Sequence, residues 1–183
     1  MGALVRFLVR LAPFVVTAAW LAERRLRDAA AAEGRDAGRP ITTSIAIEAP
    51  IERVWAVLAD IERQPEWMHD LKSVELLTPL PVGVGTRARG RVQAFGVAVE
   101  DPIEITAFSP PSHFAIRHEG LVRGSGDIRL ERGPHGSTTT VTWVEVLAPR
   151  VLPHLGAAAI ALVFAPIFRR DLERLAALVE SEA

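Results

Sequence analysis

Apolar positions recur at two periods along this chain, and the switches between them mark out its elements. Ile41 to Glu48 alternates, with Ile45 and Ile47 on one side and Thr42, Ser44 and Glu48 on the other, which predicts a half-buried strand ending at Ala49-Pro50. The period then lengthens: Val54, Trp55, Leu58 and Ile61 fall on one face of a short helix. Pro50 stands just before that helix, where a missing N–H costs nothing, and Asp60 ends it. Pro65-Glu66-Trp67-Met68-His69 predicts a second short helix, and Leu71 to Leu77 a second strand. Pro79, Pro81, Gly83 and Gly85 make the next connection a turn.

Thr86 to Gln93 carries the clearest two-face signal. Arg87, Arg89 and Arg91 share one face and belong in water; Thr86, Ala88, Gly90 and Val92 share the other. The inward face is small, where a sheet packed tightly on a helix wants bulk, so it leaves space for a cavity. Val97 to Ala107 pairs back through a turn at Phe95-Gly96, with Val97, Val99, Ile103 and Ile105 inward. That turn sets Arg91 opposite Glu100 and Arg87 opposite Glu104, exposed pairs contributing only ~0.2–1 kcal/mol each. Asp101 falls on the inward parity beside Pro102, and a bulge is expected there.

Ser109-Pro110-Pro111-Ser112 turns the chain into His113 to Glu119, with Phe114, Ile116 and His118 on one face. Val122 to Glu131 follows, with Ile128 and Leu130 inward, and Gly133-Pro134-His135-Gly136 turns into Thr138 to Leu147. In this last strand Thr138, Thr140 and Thr142 line one face and Val141, Trp143 and Glu145 the other. Val151 to Phe168 is apolar apart from His154, but Pro153, Gly156 and Pro166 argue against a regular membrane span. From Phe164 an amphipathic stripe of Phe164, Phe168, Leu172, Leu175 and Val179 predicts a terminal helix, kinked at Pro166. Arg169, Arg170, Asp171, Glu173 and Arg174 are assigned to its solvent side. The order is one strand, two short helices, six strands in a meander and a long helix: α+β with a largely antiparallel sheet of about seven strands.

Ahead of all this, Leu4 to Ala22 is apolar except for Arg6, Arg10 and Thr17, and Glu23-Arg24-Arg25-Leu26-Arg27 follows at once. A membrane-associated helix, a signal peptide and a soluble helix packed on the domain all fit this extra N-terminal segment. Ala29 to Pro40 reads as a helix end and linker, which divides the chain into residues 1–40 and a domain over 41–183. With 183 residues there is room for one domain with a real core. A formal net charge of −1 gives no general attraction to nucleic acid. The chain has no cysteine, which excludes disulfides and thiolate catalysis.

The unit Ala49-Pro50, Val54-Trp55, Asp60 and Pro65-Glu66-Trp67 resembles the entry of the START/Bet v 1-like superfamily, also described as SRPBCC or polyketide cyclase/dehydrase-like proteins. The later strands, the Gly-x-x-Gly turn and the apolar terminal helix extend the resemblance over residues 41–182. It implies a helix-grip fold, in which a curved antiparallel sheet wraps a long C-terminal helix and encloses an apolar cavity. It also places Trp67 and Met68 near a cavity mouth, as a gate or as local packing. Trp55 is assigned to the core, and Trp143 to core or cavity wall. Ala88, Gly90, Val92, Val99, Phe114 and Ile116 are the expected strand-side lining, and Ile160 and Phe164 the helix side.

His118, Glu145 and Asp101 are the polar exceptions on inward faces and the candidate catalytic groups, since a buried carboxyl or histidine can move protons. The family's strand order puts another strand between His118 and Glu145, ~10 Å of separation, so each is expected to be solvated or paired with arginine unless a substrate bridges them. His69, His113, His118, His135 and His154 show no zinc-type spacing, so no metal is expected, and no cofactor. No Gly-rich phosphate loop or serine nucleophile elbow is present, and the arginine row is read as a solvated face rather than a nucleic-acid contact. Three functions remain: a binding or transfer protein for a small hydrophobic ligand (a lipid, quinone or polyketide-like molecule), a polyketide cyclase/dehydrase-type enzyme, and a partner-binding stress or co-chaperone-like module. The expected location is cytoplasmic, with membrane contact through residues 4–22 left open.

Overall fold

The computed structural model describes residues 2–94 and 96–182, the side chains of residues 2–11 and of Ala94 excepted. Helix α1, Gly2–Ala32, precedes β1, Arg39–Ile47; α2, Ile51–Leu58, and a 3-10 turn, Gln64–Glu66, follow. Strands β2, Leu71–Leu76, β3, Arg87–Ala94, β4, Val97–Ser109, β5, His113–Glu119, β6, Val122–Arg132, and β7, Thr139–Pro149, lead to α3, Pro153–Ser181. The seven strands form one antiparallel sheet in the order β1-β7-β6-β5-β4-β3-β2. The first strand thus closes on the last, and the meander ends at β2 on the far edge. The expected helix-grip α+β fold is present, with α3 against the sheet.

The predicted entry motif seats this arrangement. Pro50 takes the N-cap position of α2 in extended backbone, and Ile51, Val54, Trp55, Val57 and Leu58 are all buried beneath it. Trp55 meets Phe108 of β4 edge-on at 5.4 Å between ring centroids. Thr139 is fully buried, and its hydroxyl donates to the Ala49 carbonyl at 2.7 Å, tying the strand end to β7. On α3 the positions Leu172, Leu175, Ala176 and Val179 complete the core around Ile47, Leu58 and Val141.

Two local expectations change. No bulge occurs at Asp101-Pro102: β3 and β4 stay in register through Gly90↔Asp101 and Arg89↔Pro102. Ile105 N–H donates to Thr86 O, so odd positions here turn their amides to β3 and Pro102 turns toward β5. The β4–β5 pairing begins only at Ile103↔His118, so proline's missing donor breaks no ladder bond. The irregularity falls instead between Ile105 and Ala107. The β3–β4 register is otherwise the expected one, with Arg91 opposite Glu100 and Arg87 opposite Glu104. Phe95 of the turn lies outside the described residues. The side chains, however, reach past their direct neighbours: Arg89 contacts Glu75 and Glu100, Arg87 contacts Glu119, and Arg117 contacts Glu104.

Helix α1 packs on α3 through a buried carboxylate. Leu152, the N-cap of α3, is left-handed and supplies no side-chain cap. Glu23 fills that role from α1: its Oε1 accepts from His154 N at 3.1 Å and from the His154 ring at 2.8 Å, and its Oε2 accepts from Leu155 N at 2.8 Å. Burial opposes ionisation of Glu23, but the Leu155 and His154 donors prevail and hold its pKa below the usual value. Further along α1, Phe14, Val15, Val16, Trp20 and Leu21 are exposed. Among the described residues, no helix is long and apolar enough to cross a membrane.

Candidate functional site

Between the concave face of the sheet and α3 lies a cavity of about 460 Å³. The small inward positions open it: Gly90 of β3 has only Leu71 Cδ1, at 3.1 Å, and Asp101 O, at 3.7 Å, near where a Cβ would stand. Val92 and Val99 continue that wall, and Phe114, Ile116, Ile128 and Trp143 supply the back. From α3, Ile160, Phe164, Ile167 and Phe168 face the same space. Phe168 stacks on Trp143 at 4.7 Å and meets Phe164 at 5.8 Å between centroids, so one side of the cavity is a connected aromatic surface.

Of the residues expected around the cavity, Met68, Gly90, Val92, Val99, Phe114, Ile116, His118, Trp143, Ile160 and Phe164 are in its wall. Trp67 and Ala88 are not. Both are fully buried, and Trp67 stands behind the wall, edge-on to Trp143 at 6.1 Å. The chain around the 3-10 turn directs Met68 toward the cavity and leaves Trp67 in the core, so Trp67 is packing rather than a gate.

The polar exceptions form one row inside this apolar space. His118 Nδ1 lies 2.6 Å from Asp101 Oδ2, and His118 Nε2 lies 2.9 Å from Glu145 Oε1. Glu145 is 3% exposed, and its Oε2 accepts the Trp143 indole N–H at 2.8 Å. The expectation that His118 and Glu145 stay apart, each solvated or paired with arginine, is therefore corrected. One strand does lie between them, but β6 presents glycine at both relevant positions: Gly124 pairs with His118 and Leu147, and Gly126 with Ile116 and Glu145. A Cβ on Gly126 would come within 2.7 Å of Glu145 Oε2, and one on Gly124 would collide with the Val146 carbonyl oxygen. The side chains of β5 and β7 meet over a bare stretch of backbone. The signal was present in the sequence as the glycines of Val122-Arg123-Gly124-Ser125-Gly126.

Burial alone would lower the His118 pKa. The Asp101 hydrogen bond and then the close contact with Glu145, with their charges, outweigh that and push it up to about 10. At neutral pH this histidine is a cation. The Asp101 bond is aligned, whereas the 2.9 Å approach to Glu145 is short but off the line of the N–H: Nε2 and Oε1 are buried without an aligned hydrogen bond. The Nε2 donor is thus not fully engaged within the protein.

A second polar group in the wall was not expected. Asp171, assigned by pattern to the solvent side of the terminal helix, is 3% exposed and lines the cavity. It lies three residues after Phe168 and four before Leu175, which is the spacing of the buried stripe. Its Oδ1 accepts from His69 N at 2.9 Å, and Asp70 and Gln64 line the same region. Burial pushes the Asp171 pKa up to about 6, with the nearby charge of Asp70 adding to the rise; the His69 amide and Arg174 oppose it. Among the described residues no cluster of three or more His, Asp or Glu side chains is arranged to hold a metal ion.

Several solved structures share this fold. The Zhui aromatase/cyclase from Streptomyces sp. R1128 superposes with a TM-score of 0.66 at 20% identity, over 78% of this chain and 94% of that one. TTHA0849 from Thermus thermophilus matches with a TM-score of 0.64 at 20% identity, over 79% of this chain and 99% of its own. Ara h 8.0201 matches with a TM-score of 0.57 at 14% identity, over 79% and 99%. At these identities the likeness is one of fold. No curated protein matches the sequence. The sequence profile of one family, described as polyketide cyclase / dehydrase and lipid transport, matches residues 39–180, which covers the sheet, α2 and nearly all of α3. The chain belongs to the polyketide cyclase / dehydrase and lipid transport family.

Proposed function

We propose that the protein binds a small hydrophobic ligand in the cavity and holds a polar oxygen of it against His118. The observation that carries this reading is a cavity of about 460 Å³ whose wall is apolar except for a few linked polar groups. Sites for small organic molecules have this size and this economy of polar contacts. The aromatic surface of Trp143, Phe164 and Phe168 supplies contact area, and the cationic His118 supplies direction. Two carboxyl groups flank that histidine, which favours a neutral carbonyl or hydroxyl oxygen over a ligand carboxylate. Native mass spectrometry of protein from its own host tests the reading. A co-purifying apolar molecule displaced by an added one is expected; an empty protein that also takes up no apolar dye refutes it.

A transfer role adds contact with a bilayer surface through α1. Exposed Phe14, Val15, Val16, Trp20 and Leu21, followed by exposed Arg24, Arg25 and Arg27, support it. Flotation with anionic liposomes, compared with a Phe14→Ser/Trp20→Ser variant, decides: absent or equal flotation removes the membrane contact.

The His118–Glu145 contact favours one further reading, an enzyme of the cyclase/dehydrase type. A histidine that is cationic at neutral pH can give its Nε2 proton to a carbonyl or departing hydroxyl oxygen of an enclosed polyketide, with Glu145 beside it to steady the charge. In that case His118→Ala and Glu145→Gln abolish turnover of an aromatic polyketide precursor. Unchanged turnover in both variants eliminates the enzyme.

A further inference from the structure

We propose that the cavity has a second recognition pole at Asp171 and Asp70, so that its ligand is a two-ended molecule: an apolar body with an accepting oxygen at His118 and a hydroxyl donor at Asp171. This rests on the ligand-binding reading and specifies the chemical class of the ligand. Asp171 projects from α3 on the same face as Phe164, Ile167 and Phe168 and shares their cavity. A carboxyl group in such a wall is costly unless its oxygens are satisfied. Oδ1 is satisfied by the His69 amide, which fastens the segment after the 3-10 turn to α3. No protein donor among the described residues reaches Oδ2.

The neighbours do not supply one. Asp70 Oδ2 is buried without a hydrogen-bond partner, and Asp70 lines the cavity beside Asp171. Gln64 is 5% exposed, and its amide nitrogen reaches only the Leu58 carbonyl, at 3.4 Å. Arg174 is exposed and turns its guanidinium to His69 Nδ1, at 3.2 Å. The region therefore holds a surplus of acceptors, while the His118 end offers a donor. A molecule complementary to both must accept at one end and donate at the other. A run of contacts along the wall joins the two poles: Asp171 stands about one turn of α3 from Phe168, Phe168 lies 4.7 Å from Trp143 between ring centroids, and the Trp143 indole reaches Glu145 beside His118, a gap on the order of 15 Å that a flexible chain of about ten carbons spans.

The role differs from simple anchoring of the His69 segment. Anchoring uses one oxygen, and asparagine keeps it. Three probes separate the possibilities by calorimetry on the full chain: 1-decanol, 1,10-decanediol and the ether 1,10-dimethoxydecane. The diol and the ether both carry an accepting oxygen at each end, and only the diol has a donor. In the wild type the diol should bind about tenfold more tightly than the ether, as expected for one buried hydrogen bond whose loss leaves an acceptor unpaired. In Asp171→Asn, where an amide donor that the ether oxygen also satisfies replaces one carboxyl oxygen, the preference should fall below about threefold. Equal affinity of diol and ether for the wild type overturns the second pole while 1-decanol binding keeps the container reading. Failure of all three probes to bind overturns both. The wild-type comparison decides even where Asp171→Asn folds poorly.

Discussion

Replacing Gly126 by alanine closes the gap over β6 and tests whether it creates the polar row. The new Cβ would stand 2.7 Å from Glu145 Oε2 and 3.3 Å from Ile116 Cγ1. The carboxyl end of Glu145 must move by roughly 0.5–1 Å to regain ordinary contact. Glu145 is 3% exposed and has nowhere wet to go, and the displaced oxygen is the one that holds the Trp143 indole N–H. Losing a buried hydrogen bond and leaving its donor unpaired costs about 1–3 kcal/mol. Alanine in place of glycine within a strand returns about 0.5–1 kcal/mol. The expected net loss is about 1–2 kcal/mol in urea unfolding.

A titration gives the second readout. Folded His118 has its pKa raised from 6.5 to about 10, so its contribution to stability is complete below pH 6.5 and disappears as pH rises through 10. Gly126→Ala weakens one of the two contacts that raise it. The His118 resonance should titrate at lower pH in the variant, and the stability gap should narrow as pH climbs from 7 to 10. A variant as stable as the wild type, with an unchanged His118 titration, would refute the reasoning.

Three other outcomes are expected. Asp171 ionises at about 6 in the fold against 3.8 ordinarily, so its ionisation opposes folding as pH rises through that window; Asp171→Asn should gain up to about 3 kcal/mol on the wild type between pH 4 and 7, and parallel stability curves would contradict this. Glu23→Ala removes the cap on α3 at a cost of about 1–2 kcal/mol, seen as faster amide exchange at His154 and Leu155 and faster tryptic cleavage after Arg24, Arg25 and Arg27; unchanged exchange would mean that Glu23 is not the cap. Leu175→Ala, in the fully buried part of α3, should cost about 2–5 kcal/mol, and Ile160→Ala, which faces the cavity, under about 1.5 kcal/mol; equal thermal-melt losses would place Ile160 in the core.

The parts of the fold that the sequence discloses are those governed by local period and punctuation. Ala49-Pro50 and the spacing of Val54, Trp55 and Leu58 define α2, and strict alternation defines which residues of β3 through β7 face inward. The arginine register followed from a single turn position. The site was only half legible. His118, Glu145 and Asp101 stand out as polar residues on apolar faces, but their meeting depends on Gly124 and Gly126 of a different strand. That is a relation between three strands, which no window along the chain contains. Asp171 was misplaced because its neighbours Arg169, Arg170, Glu173 and Arg174 make a charged stretch look wholly solvated, although its own phase belongs to the buried stripe. Pro102 misled in the opposite direction: a strand-breaking residue is harmless where pairing with the adjoining strand has already stopped.

Helix α3 divides its labour along its length. Its last turns, with Leu172, Leu175, Ala176 and Val179, are sealed into the core, whereas Ile160, Phe164, Ile167 and Phe168 face the hollow. The boundary falls within one turn, and Asp171 sits on it. Substitutions on the earlier half change the size and shape of the space without disturbing the packing that secures the helix. Such a scaffold can be re-tailored to a new occupant one residue at a time, by natural drift or by design, while the rest of the molecule stays folded.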